Sequence, residues 1–278
     1  MLNIDLHSHS QFSDGVLAPA EVAARARANG VDVWALTDHD EVGGIAQARD
    51  AAEQLGLRYV TGVEISVTWG GQTVHIVGLQ VDETASVLVE GLAQTRSGRL
   101  RRAEEIAMQL QEAGIPDALS VAMKYVDNPE LISRTHFARY LVEQGVRPSI
   151  QEVFDAYLSE GKPGYVPHRW ASLPDAMSWI RAAGGVAVIA HPGRYKYSDL
   201  AFDAMVDEFM QLGGTGIEVI TSSHTVEQYA QYAQVAKRFG LRASRGSDFH
   251  SPDESRFDLG SLPPLPDNLK PIWHDWHL

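Results

Sequence analysis

The sequence has no cysteine, no long apolar run and fewer basic than acidic residues. Without cysteine there is no disulfide framework, no thiolate nucleophile and no cysteine-ligated zinc site, so any metal ion must be held by His, Asp and Glu. No stretch reaches the roughly 18 apolar residues of a membrane span, and no basic region followed by an apolar signal segment precedes NIDLHSH. These absences predict a cytoplasmic protein with no membrane partner.

The charge balance restricts the partners further. Lys and Arg number 23 against 36 Asp and Glu, a net charge of −13. This excess of negative charge disfavours binding along a long nucleic-acid duplex, although a small anion can still bind in a local cationic pocket. The sequence indicates no protein partner. A chain of 278 residues with 44% hydrophobic content can bury a full core, either as one large domain or as a domain with an insertion.

Short β-rich segments alternate with helical patterns along most of the chain. The predicted strands are NIDLHS, VDVWALT, RYVTGVEIS, TVHIVGLQV, GVAVIAH, TGIEVIT and LRASRGS. The helical patterns between them mostly end in glycine, which suits a helix C-terminus. This alternation predicts an α/β fold with a parallel sheet, closed or nearly closed into a barrel.

One region departs from the alternation. RSGRLRRAEEIAMQLQEAG, SRTHFARYLVEQG and SIQEVFDAYLSEG have helical spacing with no clear strand between them. We predict a helical insertion domain over residues 96–167 that covers the substrate, within a barrel formed by residues 1–95 and 168–278. In the tail, His274 and His277 are interpreted as packing residues.

Two histidines, His7 and His9, stand one residue apart at the end of the first predicted strand. Side chains at i and i+2 share a face of a strand and can converge on one cation, although polar residues at a strand end would give the same pattern. Similar residues recur at later strands: His39, Glu64, His75, His191, Asp248 and His250. Nearly all follow an apolar run, where a β/α barrel assembles its site. Because buried His, Asp and Glu are costly without partners, the recurrence predicts a shared metal cluster.

The segments DLHSHSQFSDG, LTDHDEVGG, GVEIS, VHIVGL, AHPGR and GSDFH together resemble the polymerase and histidinol phosphatase (PHP) family of metal-dependent phosphoesterases. The resemblance implies a distorted seven-stranded β/α barrel with two or three divalent metal ions, manganese above all, with zinc or iron as alternatives. Carried over by motif, it assigns His7, His9, Glu64 and Asp248 to one metal, Asp14, His39 and His250 to a second, and Glu64, His75 and His191 to a third. Asp5, Asp38 and Ser247 lie beside ligands and are interpreted as supporting groups.

A metal cluster of this kind predicts hydrolysis of a phosphate ester. Metal ions about 3.5–4 Å apart lower the pKa of a bridging water and neutralise phosphoryl oxygens, so a metal-bridging hydroxide can attack without a protein nucleophile. The leaving alkoxide needs a proton, for which Asp248 and His191 are the candidate catalytic residues.

Cationic residues outside the ligand positions predict a phosphate-binding subsite. The candidates are Arg134 and His136 in LISRTHFARYL, Lys162 and Arg169 in GKPGYVPHRW, and Arg194 in AHPGR. Guanidinium suits bidentate phosphate contacts, although a solvated or salt-bridged helix face is the alternative for each. In RSGRLRR, Arg99 and Arg102 share a helical face, and a surface pair of Arg101 with Glu105 competes as an explanation.

The barrel motifs combined with ISRTHFARYL and GKPGYVP resemble one subgroup of the family, the nucleoside 3′,5′-bisphosphate phosphatases and related 5′→3′ exonucleases acting on short RNA. This implies removal of the 3′-phosphate from a compound such as adenosine 3′,5′-bisphosphate, with Arg134 and His136 holding the 5′-phosphate. Two alternatives stay open: a phosphatase for histidinol phosphate or another small phosphomonoester, and a non-catalytic metal-binding module.

Overall fold

The computed structural model describes residues 2–126 and 128–276, so His277 lies outside the described residues. All seven predicted strands are confirmed: β1 (Ile4–Asp5), β2 (Val33–Leu36), β3 (Arg58–Trp69), β4 (Gln72–Leu79), β5 (Val186–Ile189), β6 (Gly216–Thr221) and β7 (Arg242–Gly246). They form one sheet in which the spatial order follows the chain.

The first and last strands meet and nearly close the sheet into a barrel. Leu6 N donates to Arg245 O at 3.0 Å, His9 N donates to Phe249 O at 2.8 Å, and Ser8 pairs in parallel with Phe249. A Cβ on Gly246 would lie 2.3 Å from the His7 Cβ, so only glycine permits this approach. The predicted α/β barrel is confirmed, and its closure brings the segments after β1 and β7 together.

The expectation of a wholly parallel sheet is wrong at β4. This strand pairs antiparallel with both β3 and β5. The reason is the short connection: only Gly70 and Gly71, with φ of 52° and 81°, separate β3 from β4. Two residues suffice for a hairpin, whereas parallel neighbours need a crossover of about a dozen. The beginning of β4 therefore lies at the edge where the parallel strands end.

Ten α-helices are described: α1 (Pro19–Ala28), α2 (Ile45–Gln54), α3 (Ser86–Arg96), α4 (Arg99–Glu112), α5 (Ala118–Ala122), α6 (Arg134–Glu143), α7 (Ile150–Val153), α8 (Leu173–Ala182), α9 (Asp199–Gln211) and α10 (Val226–Phe239). A π-helical turn, Phe154–Leu158, follows α7. The sequence patterns did not predict α3 and α5. Within residues 2–126 and 128–276, no helix combines the length and the hydropathy that a membrane crossing requires.

The helices from α4 to the π-helical turn pack around a hydrophobic cluster of their own. Phe137, Leu141, Ile106 and Leu110 are almost fully buried in it. On α6 the buried residues Phe137 and Leu141 are four positions apart and therefore share one face of the helix. The division of the chain at residues 96 and 167 stays a prediction. This cluster packs α4 and α6 together, and the first turns of both helices line the cavity at the end of the barrel.

Candidate metal centre

A single carboxylate, that of Glu64 on β3, lies among five imidazoles. Its Oε1 is 2.9 Å from His75 Nδ1 and 2.8 Å from His191 Nε2. Its Oε2 is 3.2 Å from His7 Nε2, 3.3 Å from His9 Nε2 and 3.0 Å from His39 Nδ1. Glu64 is fully buried. Because β4 runs antiparallel, His75 reaches this group from the first half of its strand.

The segments after β1 and β7 supply the other side of the cluster. Asp248 Oδ1 lies 3.2 Å from His9 Nε2, and the rings of His9 and His250 stack with centroids 4.2 Å apart. Asp14 Oδ1 is 3.2 Å from His250 Nε2 and 3.7 Å from His39 Nε2. The closure of the barrel thus places these side chains next to the histidines that follow β1.

The structure contains three groups of candidate ligand atoms, and the atoms within each group all lie within 4.8 Å of one another. The groups are His7, His9, Glu64 and Asp248; His9, Asp14, His39 and His250; and His39, Glu64 and His75. The first group matches the set assigned by resemblance. The second contains its assigned set together with His9. The third contains His39 and lacks His191, although His191 Nε2 contacts the same Glu64 oxygen as His75.

The donor set fits divalent metal ions. The buried oxygens Asp14 Oδ1 and Glu64 Oε2 and the buried His9 Nδ1 have no hydrogen-bond partner. Buried polar atoms rarely lack partners, so such orphans need an explanation, and an ion is one. Imidazole with carboxylate is the ligand chemistry of manganese, zinc and iron.

Backbone conformation marks the same place. His191 and Asp248 have φ of 27° and 53°, in the left-handed region that non-glycine residues rarely adopt. Such conformations cost about 1–3 kcal/mol each and cluster at functional sites. The two residues follow β5 and β7; His191 Nε2 contacts Glu64 Oε1, and Asp248 Oδ1 contacts His9 Nε2.

Electrostatics in the cluster favour bound cations. Burial raises the pKa of Glu64, but His39, His7 and His75 outweigh it and hold that pKa well below its usual range. Burial and the nearby Arg194 lower the pKa of His191 to about 3, although Glu64 opposes them. Although burial lowers it, Glu218, Glu64 and Asp248 raise the pKa of His7 well above its usual range, so a metal ion that binds there has to displace a proton.

An anion pocket adjoins these residues. A cavity of about 190 Å³ is lined by Asp14, His39, His75 and His250 from the cluster and by four arginines, Arg99, Arg102, Arg134 and Arg194. The guanidinium groups of Arg99 and Arg102 lie 4.6 and 5.3 Å from the ring of Trp170. Burial, with Arg134 and Arg99 nearby, lowers the pKa of Arg102 to about 9. Together, Arg99, Arg102 and Arg134 form a cationic group suited to binding a phosphate.

Residues 5–160, more than half of the chain, match the PHP domain family. The chain belongs to the PHP domain family. The predicted resemblance is therefore confirmed. The candidate ligands from His7 to His75 lie inside the matched range, whereas His191, Asp248 and His250, which follow β5 and β7, lie beyond it.

Two curated relatives and one solved structure match nearly the whole of this chain. It is 50% identical over 275 residues to a 3′,5′-nucleoside bisphosphate phosphatase from Chromobacterium violaceum, covering 99% of this chain and 96% of the relative. It is 42% identical to a 5′-3′ exoribonuclease from Haemophilus influenzae, covering 97% of each chain. A solved structure of an amidohydrolase from Chromobacterium violaceum, with bound sulfate and no metal, superposes with a TM-score of 0.95 at 50% identity, covering 98% of this chain and 94% of the other.

Several buried groups hold the ligating side chains in place. Asp38 accepts hydrogen bonds from Ser10 N, Ser10 Oγ and Ser13 Oγ, each at 2.7 Å, and so fixes the loop that carries His9 and Asp14. Asp5 accepts from Ser247 N at 2.8 Å, beside Asp248. Neither carboxylate joins the three ligating groups of this PHP domain.

Sequence reasoning missed Glu218 on β6. Its Oε1 lies 2.7 Å from His7 Nδ1, and its Oε2 accepts from His191 N at 2.6 Å. This contact turns His7 Nε2 toward Glu64. The available signal was a glutamate inside the apolar strand GIEVIT, where a buried carboxylate needs a partner.

The residues predicted to bind substrate are placed differently from one another. Arg134 and Arg194 line the cavity, and Arg194 Nη2 is 2.6 Å from Asp248 Oδ2. His136 is buried and its Nδ1 accepts from Ser133 N at 2.9 Å, so it caps α6. Lys162 is exposed and does not line this cavity, and Arg169 lines a neighbouring one.

Both explanations offered for RSGRLRR apply, to different residues. Arg101 Nε lies 3.8 Å from Glu105 Oε1 in an exposed pair. Arg99 and Arg102 are buried against the cavity, and Arg99 forms an ion pair with Asp40. The helical face that they share thus points inward.

Proposed function

We propose that the protein is a metal-dependent phosphatase that removes the 3′-phosphate from nucleoside 3′,5′-bisphosphates such as adenosine 3′,5′-bisphosphate, giving the 5′-monophosphate. The observation that carries this proposal is one cavity lined both by members of the carboxylate–imidazole cluster and by Arg99, Arg102 and Arg134. A ligand with two phosphates on one ribose could place one phosphate at the ligating cluster and the other at the arginines. The bisphosphate phosphatase from Chromobacterium violaceum, 50% identical, supports this choice of substrate.

The cluster would hold two or three divalent metal ions, with manganese proposed and zinc or iron as alternatives. The proposed ligands are His7, His9, Asp14, His39, Glu64, His75, His191, Asp248 and His250. Glu64 belongs to two of the three groups of candidate ligand atoms and also contacts His191. Bound metal ions of this kind supply a water of lowered pKa and neutralise phosphoryl oxygens.

The protein's own side chains would divide the remaining work. Arg134, with Arg99 and Arg102 beside it, would bind the 5′-phosphate through charge-assisted hydrogen bonds and so orient the 3′ ester toward Glu64. Arg194, which also lines the cavity and pairs with Asp248, adds positive charge beside the ligating cluster. Asp248 and His191 are the proposed proton-transfer residues for the leaving alkoxide; His191 is neutral at pH 7 because burial and Arg194 lower its pKa to about 3.

A second activity is proposed on the same residues. A short RNA with a 5′-phosphate offers the same 3′ ester between its first two nucleotides, so 5′→3′ exonuclease cleavage needs no separate site. The 5′-3′ exoribonuclease from Haemophilus influenzae, 42% identical over 97% of this chain, supports this candidate. Cytoplasmic location and the lack of a protein partner stay predictions.

The experiment that tests the function measures phosphate release by manganese-loaded protein. Adenosine 3′,5′-bisphosphate, 3′-AMP, 5′-AMP and histidinol phosphate are compared, with chelator-treated protein as the control, and cleavage of a 5′-phosphorylated RNA trinucleotide is followed by resolving its nucleotide products, because it releases no inorganic phosphate. We expect the bisphosphate to be hydrolysed fastest and the chelated protein to be inactive. Equal rates on the three adenine nucleotides would contradict the proposal, and preferred turnover of histidinol phosphate would replace it with the single-phosphate alternative.

Replacing Glu218 by glutamine tests the support of His7. The variant keeps the side-chain volume but removes the charge that faces His7 Nδ1 at 2.7 Å. Partners of this kind typically contribute about 10- to 100-fold to metal affinity, so we expect manganese binding to weaken by that amount. Calorimetric titration with manganese measures it. Glu208→Gln, whose wild-type carboxylate accepts from Trp69 Nε1 away from the cluster, is the matched control; equal effects of the two substitutions would refute the role of Glu218.

A further inference from the structure

The loop that carries Asp14 is held by the helical segment. Thr135 Oγ1 donates to Asp14 Oδ2 at 3.0 Å, and Ser133 Oγ lies 3.3 Å from the same oxygen. Arg139 Nη2 donates to the backbone oxygen of Asp14 at 2.6 Å. Three residues of α6 and its N-cap thus contact one residue that follows β1, more than 110 positions away in the chain.

The two carboxylate oxygens of Asp14 face different groups. Oδ2 takes the hydroxyls of Ser133 and Thr135, whereas Oδ1 lies 3.2 Å from His250 Nε2 and 3.7 Å from His39 Nε2 and has no hydrogen-bond partner. Donors on one oxygen of a carboxylate fix the direction in which the other is presented. The hydroxyls therefore aim Asp14 Oδ1 at the two imidazoles.

The turn that provides the hydroxyls is itself fixed. Ser133 Oγ accepts from Thr135 N at 3.2 Å, and His136 Nδ1 accepts from Ser133 N at 2.9 Å, which completes a capping box at the start of α6. Arg134 projects from the same turn into the cavity. All three residues of this capped turn line the cavity, and two of them, Ser133 and Thr135, also contact Asp14.

We propose that Ser133 and Thr135 are positioning residues that orient Asp14 as a ligand of one metal ion, so that the helix that supplies Arg134 also sets part of the metal centre. This rests on the proposed function only in taking Asp14 as a metal ligand. Removing a partner of this kind typically lowers metal affinity by about 10- to 100-fold, and only the ion that Asp14 binds should be affected.

The test is a manganese titration of chelator-treated protein, followed by electron paramagnetic resonance of free manganese, with no substrate present. We expect Thr135→Val to weaken one class of manganese sites by about tenfold or more and to leave the other classes unchanged. Thr135→Ser, which keeps a hydroxyl, should restore the affinity. Tyr140→Phe, which removes a hydroxyl on α6 that donates to Pro116 O at 2.8 Å, should bind manganese as the wild type does.

Two results would overturn the proposal. In the first, Thr135→Val binds manganese with wild-type affinity. In the second, all classes of manganese sites weaken together and Thr135→Ser does not restore them, a result that would indicate a general loss of structure. Phosphate release by the wild-type protein tests the proposed function without reference to Thr135. A wild type that binds manganese but releases no phosphate would reject the function and leave the positioning role standing, whereas an active wild type with an unaltered Thr135→Val titration would reject only the positioning role.

Discussion

Replacing Glu64 by glutamine should abolish most of the phosphatase activity, with a fall in kcat on the order of 10³-fold. Glu64 is the one carboxylate in the described residues that contacts five imidazoles, three through Oε2 and two through Oε1. Glutamine preserves the shape but presents an amide NH₂ to groups that need an anion. Initial rates at saturating adenosine 3′,5′-bisphosphate, together with the manganese content of the protein, measure the effect.

Glu208→Gln is again the matched control, because it makes the same chemical change at a partly buried glutamate outside the cluster. Its activity and manganese content should stay near those of the wild type. If Glu64→Gln retained more than about a tenth of the wild-type kcat, the shared carboxylate would not be central to the metal centre, and the assignment of its histidines would have to be revised.

Arg134→Ala should remove the preference for bisphosphates rather than the chemistry. Arg134 lines the cavity together with the proposed metal ligands, and its Nη1 donates to Leu158 O at 2.9 Å. A hydrogen bond to a charged group is worth about 1.5–3 kcal/mol, which corresponds to about 10- to 150-fold in kcat/KM. We expect a loss of that size for adenosine 3′,5′-bisphosphate and a small change for 3′-AMP, which has no 5′-phosphate.

Arg101→Ala provides the comparison, because it also removes a guanidinium from this region but from an exposed pair with Glu105. It should change neither substrate's kcat/KM appreciably. A loss by Arg134→Ala that is equal on both substrates would show that the arginine supports the fold of the pocket and does not select the 5′-phosphate.

The sequence predicted the strands and the positions of the His, Asp and Glu residues that the structure brings together, because both leave local patterns. Apolar runs ending in His, Asp or Glu need no tertiary information to be recognised. The direction of β4 was missed because alternation of strands and helices indicates neighbours but not orientation. The two glycines of TWGGQT, which connect β3 and β4, were the signal for a hairpin.

Roles that depend on which helix face packs inward were harder to predict. Arg99 and Arg102 share a face, but only the packing of α4 against the barrel decides whether that face meets solvent or the cavity. His136 was predicted to hold phosphate, yet burial lowers its pKa to about 4 and its Nδ1 accepts from the backbone of Ser133. The contact of Thr135 with Asp14 spans more than 100 residues and has no local signature.

The measurement that tests the central claim most directly is the identity of the nucleotide product. The account places the 5′-phosphate against Arg99, Arg102 and Arg134 and the 3′ ester at the ligating cluster. Chromatography of adenosine 3′,5′-bisphosphate after incubation with manganese-loaded protein should therefore show 5′-AMP and one equivalent of inorganic phosphate. Formation of 3′-AMP would contradict the account, because it would mean that these three arginines do not hold the 5′-phosphate away from the metal centre.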